Sequence, residues 1–161
     1  AILATAARRP ESLGMSSTLS CLWADDQVLT IGHVGNCRIY LSRRGRLVRV
    51  TRDHAIHVAP MSPADPYSGP RDTRPRVVLT RALGVETQVE ADVMQIEWLD
   101  GDRVLLGSDG LTDLVGEGFI TECLADIPTA GECVAALLAA ALANGGDDNV
   151  TVLAAGLTRD R

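Results

Sequence analysis

The order of the predicted elements favours an α+β domain with a mainly antiparallel sheet. Short strands at hairpin spacing fill residues 17–50, a pattern typical of an antiparallel meander. Two further strands follow, and an Ala/Leu-rich helix lies just before a last strand. Because the strands are grouped instead of alternating with helices, the pattern disfavours a doubly wound α/β sheet. The 161 residues suit one domain, which we assign to 1–161.

The N-terminal part of the chain predicts a short helix followed by four strands. The helix ends before Pro10, because proline lacks the backbone N–H that a helix interior needs. Residues 34–36 predict a tight turn, since Gly and Asn both tolerate a positive φ angle. These signals place the helix at 2–8 and the strands at 17–24, 28–33, 38–41 and 47–50.

A proline-rich segment at 59–76 interrupts the series of strands. It contains five prolines, one glycine and several charged residues, so we predict no regular element there. Long loops inside compact domains are often functional. Two interpretations stay open: a loop over a binding site, or a surface insertion that the fold tolerates.

The C-terminal half predicts three strands, a short helix and a longer amphipathic helix. One strand alternates apolar and polar residues, whereas the other two are continuous apolar runs. The main helix opens with a capping box of Thr129 and Glu132 and stops at two glycines. Its predicted buried stripe is Val134, Leu137, Leu138, Ala141 and Leu142. The predicted elements are strands at 91–98, 104–107 and 150–157, a short helix from Leu111, and the main helix at 129–143.

Composition and charge disfavour several classes of partner. The formal net charge of −6 and the isoelectric point of about 5.0 argue against nucleic acid and anionic membranes. Two Trp, two Tyr and one Phe are too few for base-stacking platforms. No apolar run is long enough to span a bilayer, and the four cysteines form no C-x-x-C pair. We therefore expect no nucleic acid, no membrane, and a reducing, cytoplasmic location.

Two aspartates stand at the ends of predicted strands. Asp109 follows the apolar strand 104–107, and Asp148 precedes the last strand. If those strands are antiparallel neighbours, both carboxylates converge at one edge of the sheet, where their mutual repulsion calls for a cation. Carboxylate oxygens are the ligands that Mg²⁺ and Mn²⁺ prefer. Ordinary turn and capping roles are the alternative, because Asp-Gly and Asp-Asn pairs are frequent in turns.

Six short segments match known sequence motifs, and their order along the chain is part of the match. They include Ser-Asp-Gly at 108–110 and Gly-Gly-Asp-Asp-Asn at 145–149. In this order they resemble the motifs of the type 2C, metal-dependent serine/threonine protein phosphatases. One such segment alone is weak evidence, but six in the family's order cover nearly the whole chain. The segments are 14–19, 32–40, 47–54, 79–84, 101–113 and 145–151.

The resemblance implies both a fold and an activity. The fold would be an antiparallel β-sandwich flanked by helices. The activity would be hydrolysis of phosphoserine and phosphothreonine in proteins by a metal-activated water. The resemblance makes Asp109 and Asp148 ligands of one of two Mg²⁺ or Mn²⁺ ions. It also implies phosphoprotein substrates and an opposing serine/threonine kinase.

Two departures from the family pattern bear on that activity. Asn36 stands where the family usually has an Asp that serves a third metal, so this third-metal position is weakened by a neutral amide. The family's N-terminal motifs, which supply a phosphate-binding Arg and further acidic ligands, are absent. We therefore expect a domain that is incomplete at its N-terminus, and we leave its catalytic residues unassigned. A non-catalytic, phosphatase-like regulatory or interaction module is the alternative.

The other polar residues of these motifs receive structural roles. Arg38, Asp53 and Arg81 fall in these motifs, and a surface or intradomain salt bridge is predicted for each. His33 and His54 are predicted to be hydrogen-bonded structural residues and not general acids.

Overall fold

The computed structural model describes residues 1–25, 27–58 and 76–158. Within these ranges the chain forms four α-helices, one short 3₁₀ helix and nine strands. In chain order they are α1 (Ile2–Ala6), the 3₁₀ helix Pro10–Ser12, β1 (Leu19–Ala24), β2 (Val28–Val34), β3 (Arg38–Arg43), β4 (Arg46–Arg49), β5 (Ala55–Val58), β6 (Arg76–Leu79), β7 (Asp92–Glu97), β8 (Arg103–Gly107), α2 (Asp109–Thr112), α3 (Glu117–Asp126), α4 (Ala130–Ala143) and β9 (Val152–Gly156).

The strands form two main sheets and one two-stranded ribbon. The first sheet has the order β1-β2-β7, the second has the order β4-β3-β8-β9, and β5 pairs with β6 in the ribbon. Every one of these strand pairs is antiparallel. The predicted α+β class with antiparallel sheets is therefore confirmed.

The two main sheets pack face to face around an apolar cluster. In that cluster Leu29 of the first sheet meets Leu41 and Val104 of the second. Side chains alternate between the two faces of a strand, so the neighbouring residues Tyr40 and Leu105 point the other way. On that outer face α3 and α4 cover them and form a second buried cluster. The result is a sandwich with helices against one side.

The buried stripe of α4 differs from the predicted one. Its buried residues are Cys133, Leu137 and Ala141, whereas Leu138 and Leu142 are 38% and 59% exposed. Residues four apart lie above one another on a helix, so the observed stripe follows a single row of that spacing. The prediction of Leu138 and Leu142 as core residues was wrong because it centred the stripe about one residue too far along the chain.

Some helices and strands begin or end at other residues than the sequence predicts, and some elements were not predicted at all. The first helix is shorter and ends at Ala6, and Pro10 opens the 3₁₀ helix instead of merely ending α1. The helix α3 and the ribbon β5–β6 were not predicted. The proline-rich segment lies outside the described residues apart from its last residue, Arg76, which begins β6. Among the helices that are described, none is both long and apolar enough to cross a membrane.

Candidate metal centre

The strands that lead to the two candidate aspartates are neighbours. β8 pairs with β9 in antiparallel register, and Gly107 lies opposite Val152. The end of one strand therefore lies beside the start of the other. This is the condition under which the sequence places Asp109 and Asp148 at one edge of the sheet. Asp109 comes two residues after the end of β8 and Asp148 four residues before the start of β9, at the same edge of the second sheet.

Hydrogen bonds extend this strand pair beyond its regular end. The Ser108 backbone N–H donates to the Thr151 carbonyl at 3.0 Å, and the Thr151 N–H donates to Ser108 Oγ at 3.0 Å. Ser108 Oγ in turn donates to the Asn149 carbonyl at 3.4 Å. These bonds hold the segment of Asp109 against the segment of Asp148.

Gly110 brings the two backbones still closer. A Cβ atom built on Gly110 would lie 2.3 Å from the Asn149 carbonyl oxygen and 3.0 Å from its carbonyl carbon. Carbon and oxygen atoms cannot approach so closely without displacement of the backbone. The glycine is therefore needed here for space between the two segments, independently of its backbone angles.

Each candidate carboxylate is oriented by a local hydrogen bond. Asp109, which is half-buried at the start of α2, accepts a bond on Oδ1 from the Gly110 N–H at 3.0 Å. Asp148 is exposed and accepts a bond on Oδ1 from the Asn149 N–H at 2.6 Å. An ionised carboxylate has about four acceptor positions, so both groups can still ligate a cation.

Asn36 lies next to Asp109, although the two are 73 positions apart in the chain. Its side-chain Nδ2 donates to Asp109 Oδ2 at 2.9 Å. The preceding Gly35 has a φ angle of +114°, and a Cβ atom there would lie 2.3 Å from the Thr18 side chain. The turn at Gly35 thus brings the Asn36 amide against the carboxylate of Asp109.

The described residues match part of a metal site. Within residues 1–25, 27–58 and 76–158, no group of three or more His, Cys, Asp or Glu side chains could hold a metal ion. Asp109 and Asp148 offer hard oxygen ligands, which suit Mg²⁺ or Mn²⁺ with water completing the shell. Their chemistry therefore fits two ligands of one divalent cation and falls short of a two-metal site.

Arg38 and Asp53 lie beside this edge in the salt bridge that the sequence predicts. Arg38 opens β3 opposite Gly107, and its Nη2 lies 2.9 Å from Asp53 Oδ2. Arg49 forms a second ion pair with the other oxygen of Asp53. Burial alone would raise the pKa of Asp53, but the hydrogen bonds and charges of Arg38 and Arg49 lower it overall.

This pair of arginines makes Asp53 a source of pH-dependent stability. A carboxylate with a lowered folded-state pKa stabilises the fold above its unfolded pKa of about 3.9 and loses that effect as the pH falls through the folded value. We expect Asp53→Asn to cost about 1–3 kcal/mol at neutral pH. The difference in unfolding free energy between the two proteins should shrink below about pH 4, as measured by urea denaturation. A pH-independent difference would contradict this role.

The two histidines are buried and hydrogen-bonded, as predicted. His33 Nε2 donates to the Arg52 carbonyl at 3.0 Å, so Nδ1 is free to accept a bond from Ser20 Oγ at 2.8 Å. Burial lowers the pKa of His33, which favours the neutral ring. The two imidazole rings are tilted, with centroids 4.8 Å apart.

Arg81 also forms a predicted salt bridge, with a partner that the sequence did not reveal. Its Nη1 lies 2.6 Å from Asp92 Oδ1, and His54 Nε2 lies 3.1 Å from the other oxygen of Asp92. The Arg81 hydrogen bond and then that of His54 lower the pKa of Asp92. In the sequence Asp92 is only one polar position of an alternating strand, which carries no signal for a specific contact.

The sequence and the fold of the chain were compared with those of known proteins. No family model matches the chain. The serine/threonine protein phosphatase PstP of Mycobacterium tuberculosis (strain CDC 1551 / Oshkosh) is 36% identical over 160 residues, which cover 96% of this chain and 30% of PstP. The crystal structure of the M. tuberculosis serine/threonine phosphatase PstP/Ppp has a TM-score of 0.80 at 34% identity, covering 98% of this chain and 67% of that one. The chain belongs to the type 2C serine/threonine protein phosphatase family.

Other members of this phosphatase family show how much of a relative the chain spans. The serine/threonine phosphatase stp of Listeria innocua serovar 6a is 36% identical over 146 residues, which cover 87% of the chain and 56% of stp. The catalytic domain of PstP in complex with two manganese ions matches with a TM-score of 0.78 at 31% identity, covering 98% of this chain and 65% of that domain. The chain thus spans between about a third and about half of these curated phosphatases, and corresponds to part of a type 2C catalytic domain.

Proposed function

We propose that the protein containing this chain is a metal-dependent phosphatase that hydrolyses phosphoserine and phosphothreonine in proteins. The observation that supports this most is the convergence of the Asp109 and Asp148 segments on one sheet edge, where Gly110 and Asn149 touch. Two carboxylates on adjoining backbones are suited to one hard cation. The relatives named as serine/threonine phosphatases support the choice of substrate class.

In this proposal Asp109 and Asp148 bind one divalent cation, either Mg²⁺ or Mn²⁺. Bound divalent cations supply phosphate hydrolysis with an activated water and with charge neutralisation at the phosphoryl group. The protein's contribution is to fix the two carboxylates. The Gly110 N–H orients Asp109, the Asn149 N–H orients Asp148, and the Ser108–Thr151 bonds hold their backbones together.

Substrates and location follow from the same chemistry. A serine/threonine kinase supplies the phosphoproteins on which such an enzyme acts. Hydrolysis by a metal-activated water leaves the thiols without a catalytic role. All four cysteines are free, and Cys123 and Cys133 are buried. Free thiols suit a reducing compartment, so we place the protein in the cytoplasm.

The direct test is a hydrolysis assay on the product of the complete gene. That protein should release phosphate from a phosphothreonine peptide when Mn²⁺ is present, and release should stop when EDTA is added. Phosphate release that survives EDTA would contradict metal dependence. No release with Mn²⁺ or Mg²⁺ would favour the second candidate function.

That second candidate is a non-catalytic, phosphatase-like module that binds a partner. It is favoured by Asn36, because a neutral amide stands at the position where the family usually has an acid, so this position adds no negative charge to attract a further cation. Calorimetry separates the two candidates: a non-catalytic module of this type would not take up Mn²⁺, whereas the enzyme would.

The contact between Asn36 and Asp109 yields a prediction for a third metal position. Asn36→Asp replaces the Asn36 donor with a carboxylate that repels Asp109. Without metal we expect the variant to melt at a lower temperature than the wild type. With millimolar Mn²⁺ it should gain more in Tm than the wild type does, because a cation relieves the repulsion. Equal gains in Tm for the two proteins would show that position 36 lies outside any metal's reach.

A further inference from the structure

We propose that His54 is a positioning residue for the metal centre. His54 holds the turn at Gly35, and this keeps the Asn36 amide hydrogen-bonded to Asp109. The His54 ring is itself held by Asp92, which also bonds to Arg81. The inference rests on the proposed function, because it assigns a role around the same candidate site.

His54 holds Gly35 from both sides. Its backbone N–H donates to the Gly35 carbonyl at 2.8 Å, and the Gly35 N–H donates back to His54 Nδ1 at 3.2 Å. The imidazole is only 4% exposed, so water does not compete well for these bonds. Both polar backbone groups of the residue before Asn36 are therefore satisfied by this one histidine.

The opposite side of the ring is fixed by a charged pair. Because Nδ1 accepts a bond, Nε2 carries the ring proton and donates to Asp92 Oδ2 at 3.1 Å. Arg81 Nη1 donates to the other carboxylate oxygen at 2.6 Å. A carboxylate that holds the far nitrogen of an imidazole fixes both its tautomer and its orientation.

This arrangement links the ribbon to the metal centre. The His54 carbonyl accepts a bond from the Thr80 N–H at 2.8 Å, just beyond the end of β6. Contacts thus run from Thr80 and Arg81 through His54 to Gly35, and from Asn36 to Asp109. His33 is equally buried, but its ring nitrogens bond to Ser20 and the Arg52 carbonyl.

Two substitutions of His54 separate positioning from packing. An Asn side chain can place an acceptor near the Nδ1 position, whereas a Gln side chain reaches toward the Nε2 position. Both variants keep the backbone bond from residue 54 to the Gly35 carbonyl. Of the two side-chain bonds, His54→Asn can keep the one from the Gly35 N–H, and His54→Gln can keep the one to Asp92. With the full-length gene product, we expect His54→Gln to weaken Mn²⁺ binding by about 10-fold in calorimetry, as partners outside the ligand shell typically do. We expect His54→Asn to stay within about 3-fold of the wild type.

The decisive step is a double-mutant cycle with Asn36→Ala. If His54 acts through Asn36, His54→Gln should have little further effect on the Mn²⁺ dissociation constant in the Asn36→Ala protein. Additive effects would overturn the inference, as would equal losses in the Asn and Gln variants of His54. Gln95→Ala is the control: Gln95 lies on the same strand as Asp92, the change removes its exposed side-chain bond to Thr30, and the effect on binding should be small and independent of Asn36.

A second route covers the case in which the His54 variants fold poorly. Asp92 is 35% exposed, so Asp92→Ala should leave the fold intact while releasing the ring of His54. It should weaken Mn²⁺ binding in the wild-type background and leave it unchanged with Asn36→Ala; binding unchanged in both backgrounds would overturn the inference. If the wild-type protein itself takes up no Mn²⁺, both the proposed function and this inference fail. If it binds Mn²⁺ without coupling between the sites, only the inference fails.

Discussion

Asp109→Asn should lower Mn²⁺-dependent phosphopeptide hydrolysis by about 10³-fold or more in the proposed enzyme, because the variant would lose a proposed metal ligand worth several kcal/mol of transition-state stabilisation. The amide keeps the volume of the carboxylate and can still accept the bond from the Gly110 N–H, while the Asn36 amide can turn its oxygen toward the new NH₂ group. The fold should therefore survive, and Tm measured in EDTA should stay close to that of the wild type. Initial rates on a phosphothreonine peptide at saturating Mn²⁺ provide the measurement.

Asp126→Asn is the matched control for this experiment. It removes the same charge from an exposed residue at the end of α3. Its rate should equal the wild-type rate within experimental error. If Asp109→Asn retained full activity, Asp109 would be a turn residue and the proposed site would be wrong.

Gly110→Ala should destabilise the fold by about 3 kcal/mol, the upper part of the range for overpacking a close contact. The added methyl group would lie 2.3 Å from the Asn149 carbonyl oxygen, a backbone atom that cannot move aside by rotating a side chain. Separating these backbones also separates Asp109 from Asp148. We therefore expect weaker Mn²⁺ binding as well as a lower urea midpoint.

Gly118→Ala tests whether this loss is specific to the contact at Gly110. Gly118 lies within α3, and a Cβ atom there would meet nothing within 4 Å. Alanine in a helix is favoured over glycine by roughly 0.5–1 kcal/mol, so this variant should be slightly more stable than the wild type. A Gly110→Ala protein as stable as the wild type would mean that the two segments are not held in contact.

Much of the sandwich was predictable from local signals. Alternation in 91–98 predicts a half-buried strand, and the continuous apolar run of 104–107 predicts a fully buried one; β7 and β8 appear there. The capping box at Thr129 also appears, since its side chain accepts from the Glu132 N–H. In each case the deciding interaction lies within a few residues of sequence.

Weak local patterns explain the elements that sequence reasoning missed. β5 is four residues long and mostly exposed, so it has no alternating face to recognise. The sequence does hold a signal for α3, in the helical spacing of Ile120, Cys123 and Leu124, which are its buried residues. That spacing is by itself a helical signal, so α3 was predictable from the sequence.

The contacts around the candidate site were out of reach for a different reason. The Asn36–Asp109 bond joins residues 73 positions apart, and the His54–Asp92 bond joins residues 38 positions apart. Such pairs depend on how β3 and β8 align within one sheet and β2 and β7 within the other. Motif order could place Asp109 and Asp148 at strand ends, but only the sheet register shows which side chains meet.

The most direct test of the central claim is a comparison of Mn²⁺ binding by Asp148→Asn and Asp147→Asn in calorimetry. Both residues are exposed, both changes remove one negative charge, and the two positions are adjacent. If Asp148 and Asp109 together bind one cation, Asp148→Asn should bind Mn²⁺ much more weakly than the wild type, while Asp147→Asn should keep the wild-type affinity. Equal affinities in the two variants would show that net charge, and not a site built from Asp148, accounts for metal uptake.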